Sequence, residues 1–142
     1  MRSLWLRELP SLSQFGSTRL LGQSFRLQCV HAVLGSGLLE SAYLACLAHE
    51  LRKRGFAVAC QVGLPVVFDG EKIELGYRID LVVENVVIVE VKSVEAIHPV
   101  HQAQLLSYMR LSGIGVGLLI NFNVKSLRDG VRRMVDGDSW EK

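Results

Sequence analysis

The chain has 142 residues, 49% hydrophobic and 21% charged, with a formal net charge of +2; this fits a single domain able to bury a core without disulfides or a structural metal, and excludes an intrinsically disordered chain. No apolar run is long enough to span a bilayer, and so small a charge does not by itself announce a nucleic-acid binder. Three cysteines, Cys29, Cys46 and Cys60, are an odd number without C-x-x-C spacing, which excludes a disulfide framework and a zinc ribbon, so the expectation is a soluble protein of a reducing cytoplasm with no membrane partner.

Residues 1–23 carry Arg2, Arg7 and Arg19 among Ser and Leu, with no h-region or cleavage site of a secretory signal. They are expected to be a flexible extension or a mis-assigned start ahead of a domain over residues 24–136. Residues 137–142 are expected to be a frayed tail. Within the domain, Phe25, Leu27, Val30, Val33 and Leu34 predict a short helix, stopped by Gly35-Ser36-Gly37. Leu39, Tyr43, Leu47 and Leu51 predict the clearest helix, ending at Gly55. Basic residues at Arg52-Lys53-Arg54, and again at Lys125, Arg128, Arg132 and Arg133, read as solvated faces, with a phosphate track as the alternative.

Phe56 to Phe68 reads as an edge or bulged strand interrupted by Gly63 and Pro65, and Asp69-Gly70 as a hairpin turn. Tyr77 to Lys92 reads as a second hairpin, because β-branched runs flank Glu84-Asn85. His98-Pro99 opens a helix to about Leu111, with Val100, Leu105 and Met109 on its buried side, and Ser112-Gly113 ends it. Gly115 to Phe122 is a continuous apolar run suited to a strand covered on both faces. Beyond Lys125 the pattern fits a helix weakened by Gly130, or an added edge strand. The whole is one α/β domain, a small mixed sheet flanked by helices.

The charges of the second hairpin demand an explanation. A three-residue loop, Glu84 to Val86, would set Asp80 across from Glu90 and Arg78 across from Lys92 on one face; a two-residue loop would put the two carboxylates on opposite faces. Opposed carboxylates in an apolar setting are costly unless a cation compensates them. Residues two apart on a strand point the same way, so Glu90 can hold a metal while Lys92 reaches the group beside it. Mg²⁺ takes one or two protein carboxylates, and Asp80, Glu90 and the backbone carbonyl of Val91 would form such a partial shell. Charged residues alternating on a surface strand are the bland alternative, and the buried character of Val87, Ile88, Val89 and Val91 argues against it. His101, Gln104 and Tyr108 share one stripe of the later helix, which could turn an imidazole, an amide and a phenol toward substrate. Glu40 shares a face with Tyr43 at the start of its helix, where a carboxylate also favours the helix dipole. His98 and His101 lack a third ligand at a spacing suited to zinc.

Asp80, Glu90-Val91-Lys92 and Gln104-x-x-x-Tyr108 resemble the motifs of the PD-(D/E)XK nuclease superfamily, in the branch where a Q-x-x-x-Y helix follows the E-x-K strand. Gly37-Leu38-Leu39-Glu40-Ser41-Ala42-Tyr43 is similar to the name-giving motif of the small bacterial GxxExxY proteins, and the likeness extends through Leu118-Leu119-Ile120-Asn121-Phe122, covering about Val30 to Val135. Ile79 stands where the superfamily's proline would be. The resemblance implies a restriction-endonuclease-like αβββαβ core and a Mg²⁺-dependent nuclease, with Mn²⁺ as a possible substitute. In it Asp80 and Glu90 are metal ligands, Lys92 is the catalytic lysine and Glu40 is a further acid, counted with the metal ligands. Gln104, Tyr108, His101 and Tyr43 are the expected substrate contacts. Nucleic acid is the expected partner, DNA ahead of RNA, and the small basic excess leaves room for a homodimer or a protein partner. A catalytically silent nucleic-acid-binding or assembly subunit that keeps the nuclease fold is the alternative reading.

Overall fold

The computed structural model describes residues 24–136, so the expected extension over residues 1–23 and the tail over residues 137–142 lie outside the described residues. Two helices come first, α1 (Ser24–Leu34) and α2 (Glu40–Lys53). Strand β1 (Val58–Gly63) follows, and the break expected at Gly63 and Pro65 separates it from β2 (Val66–Phe68). Asp69-Gly70 turns β2 back into β3 (Glu71–Ile73), and this pair forms its own two-stranded sheet. Next come β4 (Arg78–Val83), β5 (Val87–Lys92), α3 (Pro99–Ser112) and β6 (Val116–Asn121). A four-residue helix, α4 (Leu127–Gly130), leads into β7 (Val131–Val135), so the ambiguous C-terminal segment resolves as an edge strand. Among the described residues no helix is long and apolar enough to cross a membrane.

The main sheet has five strands in the order β1-β4-β5-β6-β7. Its pairs are antiparallel except β5–β6, which is parallel because α3 carries the chain across between them. A mixed α/β sheet flanked by helices, of the restriction-endonuclease-like kind, is therefore the fold. Strands β5 and β6 are central and covered on both sides, which is why they read as unbroken apolar runs. One core, built on Tyr43, Leu47, Leu81, Val89, Ile120 and Phe122, fills the side of α1 and α2. A smaller one, with Ile79, Val82, Ile88, Leu105, Met109 and Leu119, fills the side of α3. Helix α3 approaches β6 closely at Gly117, where a Cβ would meet Met109 Sδ at 2.8 Å and Leu105 Cδ1 at 2.9 Å.

Two residues expected on buried faces are exposed. Val100 is 67% exposed; it precedes Leu105 by five residues and is thus rotated by about 140° from the stripe that meets the sheet. Leu39 stands outside the first turn of α2 as its N-cap and is also exposed.

One irregularity concerns β1 and β4. Val58 packs with the α1–α2 core and Val62 with the α3 core, although residues four apart on a strand share a face. In β4, likewise, Leu81 and Ile79 belong to opposite cores. Both strands turn over at Gln61 and Asp80, which stand opposite each other between the pairs Cys60↔Leu81 and Val62↔Ile79.

Candidate active site

The three-residue loop forms: Val83 pairs with Val87, and Glu84 and Asn85 take φ of +54° and +57° so that the Val86 N–H reaches the Val83 carbonyl at 3.0 Å. Asn tolerates the left-handed region better than most residues, and Glu84, just before it at the exposed tip, adopts the same region. That register, Val83↔Val87 through Leu81↔Val89, brings Asp80 level with Glu90.

At this level the side chains replace the ladder. The Asp80 N–H donates to Glu90 Oε1 at 3.0 Å, and the Val91 N–H donates to Asp80 Oδ2 at 2.8 Å. Each carboxylate thus engages one oxygen with the facing backbone. Val89 and Val91 point into the α1–α2 core, so Glu90 and Lys92 project on the side of α3. There Lys92 Nζ donates to Gln104 Oε1 at 3.4 Å, and Gln104 Nε2 donates to the Tyr108 hydroxyl at 3.1 Å. The Tyr77 ring lies 6.1 Å from that of Tyr108, tilted by 50°.

The electrostatics follow from this enclosure. Glu90 is only 4% exposed. Burial first, and then the negative charge of Asp80, push its carboxyl from 4.5 up to about 8, against the opposing pull of the Asp80 N–H and of Lys92. Burial, followed by the charge of Glu90, also raises the Tyr108 phenol above its ordinary value. Two carboxylates drawn together in a low-dielectric pocket form a site that a cation would relieve.

The other expected residues sit around this cluster in different ways. Glu40 opens α2 on the opposite side of the sheet and lines a cavity of about 450 Å³ with Leu38, Leu39, Ser41 and Ser93. Among the described residues no group of three or more His, Cys, Asp and Glu side chains is placed to hold a metal ion; the side-chain acids brought together are Asp80 and Glu90. His101 uses Nδ1 to accept the His98 N–H at 3.0 Å, closing a capping box at the start of α3. Tyr43 is fully buried and stacks on Phe122, centroids 4.5 Å apart. Its hydroxyl accepts the Leu38 N–H at 3.1 Å and donates to the Gly35 carbonyl at 2.6 Å, so it pins the loop ahead of Glu40 from inside.

Sequence reasoning did not single out Ser93 or Asn121 for this assembly. Ser93 Oγ donates to the Leu38 carbonyl at 2.6 Å and ties the end of β5 to the same loop. Asn121 is buried level with Lys92, accepts the Val94 N–H at 3.1 Å and donates to the Val94 carbonyl at 2.9 Å, fixing the chain as it leaves β5. A single amide closing an apolar run from Val116 was the available signal for Asn121; a serine in a loop offers none.

The model of the PD-(D/E)XK nuclease superfamily matches residues 23–134, from the start of α1 into β7. The chain belongs to the PD-(D/E)XK nuclease superfamily. No curated protein and no solved structure matches it. Membership makes a nucleic-acid-directed nuclease the class of activity, and nucleases of the PD-(D/E)XK superfamily generally work with divalent metals. The donor set suits such an ion: hard oxygen ligands from two carboxylates held level with each other, the number of protein carboxylates that Mg²⁺ ordinarily takes.

Proposed function

We propose that this chain is a GxxExxY-type nuclease that uses a divalent cation, Mg²⁺ or Mn²⁺, to hydrolyse phosphodiester bonds, with DNA preferred over RNA. The observation that carries the reading is the interlock of Asp80 and Glu90 at the point where the β4–β5 ladder gives way to side chains. Asp80 and Glu90 hold the ion. A strand residue turns its N–H and C=O toward the same neighbour, so the Val91 carbonyl faces the Asp80 side and is available to it. The bound cation supplies Lewis-acid polarisation of the phosphate and neutralises charge developing on it.

The chain's own groups do the rest. Lys92, oriented by Gln104, brings an ammonium to the attacking water and the scissile phosphate, where it stabilises negative charge as it builds. Tyr108 holds Gln104 in place through its hydroxyl. Glu40 acts as a further acid from the first turn of α2, next to the loop that Tyr43 and Ser93 keep in position. Water attacks phosphorus and gives up a proton to solvent, the P–O bond to the leaving nucleoside breaks, and the leaving oxygen takes a proton from solvent.

The test is cleavage of end-labelled single- and double-stranded DNA and RNA with Mg²⁺ or Mn²⁺. Asp80→Ala and Lys92→Ala should each lower the rate by about 10²-fold or more with the fold intact. A wild-type protein that cleaves none of these substrates with either metal, or an Asp80→Ala protein that cleaves as well, overturns the proposal.

A further inference from the structure

Gln61 is one of the few non-glycine residues with a left-handed backbone, at φ +52° in the middle of β1. Such a conformation costs on the order of 1 kcal/mol for a residue with a Cβ, and it persists only where the surroundings impose it. Insertion of an extra residue is not the cause, because the register on either side, Cys60↔Leu81 and Val62↔Ile79, is continuous. What coincides with it is Asp80: Gln61 is the register partner of the carboxylate that replaces the β4–β5 ladder, and at this level both strands turn over. The side chain is exposed, and its carboxamide has no hydrogen-bond partner among the described residues. A strained backbone thus holds an exposed, uncharged donor on the strand next to Asp80.

We propose that Gln61 is a substrate-contact residue whose carboxamide donates to the sugar–phosphate backbone of the nucleic acid held at Asp80 and Glu90. The chemistry of the position favours a carboxamide. A lysine or arginine there would pair with Asp80 and compete with the cation, whereas an amide offers N–H donors to a phosphate oxygen without neutralising the carboxylate. The inference rests on the nuclease reading, and it adds β1, on the edge of the sheet, to the surface that grips substrate.

Three variants separate side chain from backbone. Gln61→Gly accepts the left-handed φ without strain and should match or exceed the wild-type melting temperature. It removes the amide, so KM for a short end-labelled DNA, and Kd for the same DNA measured with Ca²⁺ in place of Mg²⁺, should rise roughly tenfold, with kcat changed less than about twofold. Gln61→Asn keeps an amide on a residue that tolerates positive φ and should recover most of the affinity, while Gln61→Ala should lose both affinity and some stability. Wild-type KM and Kd in Gln61→Gly, beside a strong loss in Asp80→Ala, would overturn the role of Gln61 alone. Failure of the wild-type protein to bind or cleave DNA would overturn the nuclease reading and this inference together.

Discussion

Glu90 makes the stability of the cation-free protein depend on pH in a direction opposite to that of ordinary paired carboxylates. Its folded-state pKa stands at about 8 against 4.5 when exposed, because burial and Asp80 disfavour the charge. A raised folded value contributes stability in full below about pH 4.5 and loses it as pH rises through about 8, since the native state must then ionise a buried group. Between pH 5 and 8 this amounts to on the order of 3 kcal/mol, or roughly 10 °C in melting temperature for a domain of this size. The quantity to measure is the difference between wild type and Glu90→Gln, which keeps the shape, removes the titration and leaves every other ionisable group in place. In excess chelator, thermal unfolding followed by circular dichroism should show wild type approaching Glu90→Gln at pH 5 and falling below it by pH 8. Added Mg²⁺ should restore wild type at pH 8 and leave the variant unmoved. Parallel pH profiles for the two proteins would refute the argument that Glu90 is held in a dehydrated, like-charged setting.

Other expectations concern the scaffold that places the site. Gly117→Ala forces a Cβ against Met109 and Leu105 under α3 and should destabilise by about 1–3 kcal/mol in urea unfolding. Asn121→Leu removes the acceptor of the Val94 and Asn123 N–H groups and one of the two donors to the Val94 carbonyl, and should cost about 1–3 kcal/mol in the same assay. Tyr43→Phe keeps the stack on Phe122 but frees Leu38 and Gly35; about 1 kcal/mol should be lost, and hydrogen exchange should speed up over Gly35–Leu39.

The chemistry-bearing hairpin was the most legible part of the chain, because loop length and strand period are local. Glu84-Asn85-Val86 sets the register, and the register sets Asp80 level with Glu90. The replacement of the ladder by carboxylates was not legible: it depends on which backbone groups the facing strand leaves open. Nor was the turnover at Gln61, since β1 is an edge strand whose few apolar residues give no clear alternation, and a glutamine there reads as ordinary surface. Tyr43 shared a helix face with Glu40 in sequence, yet its partner Phe122 lies far along the chain, and that stack is what draws it inside. The C-terminal segment stayed ambiguous for the same reason. Only pairing with β6 makes Val131–Val135 a strand, and Gly130 permits it by sitting where a Cβ would strike the Asn121 carbonyl.

The central claim is that Asp80 and Glu90 hold a divalent cation, and calorimetric titration of Mn²⁺ into metal-free protein tests it most directly. Wild type should bind Mn²⁺ more tightly at pH 8 than at pH 6, with protons released on binding, and Asp80→Asn and Glu90→Gln should each abolish the isotherm. Binding that is unchanged in both variants, or absent from the wild type, would contradict it.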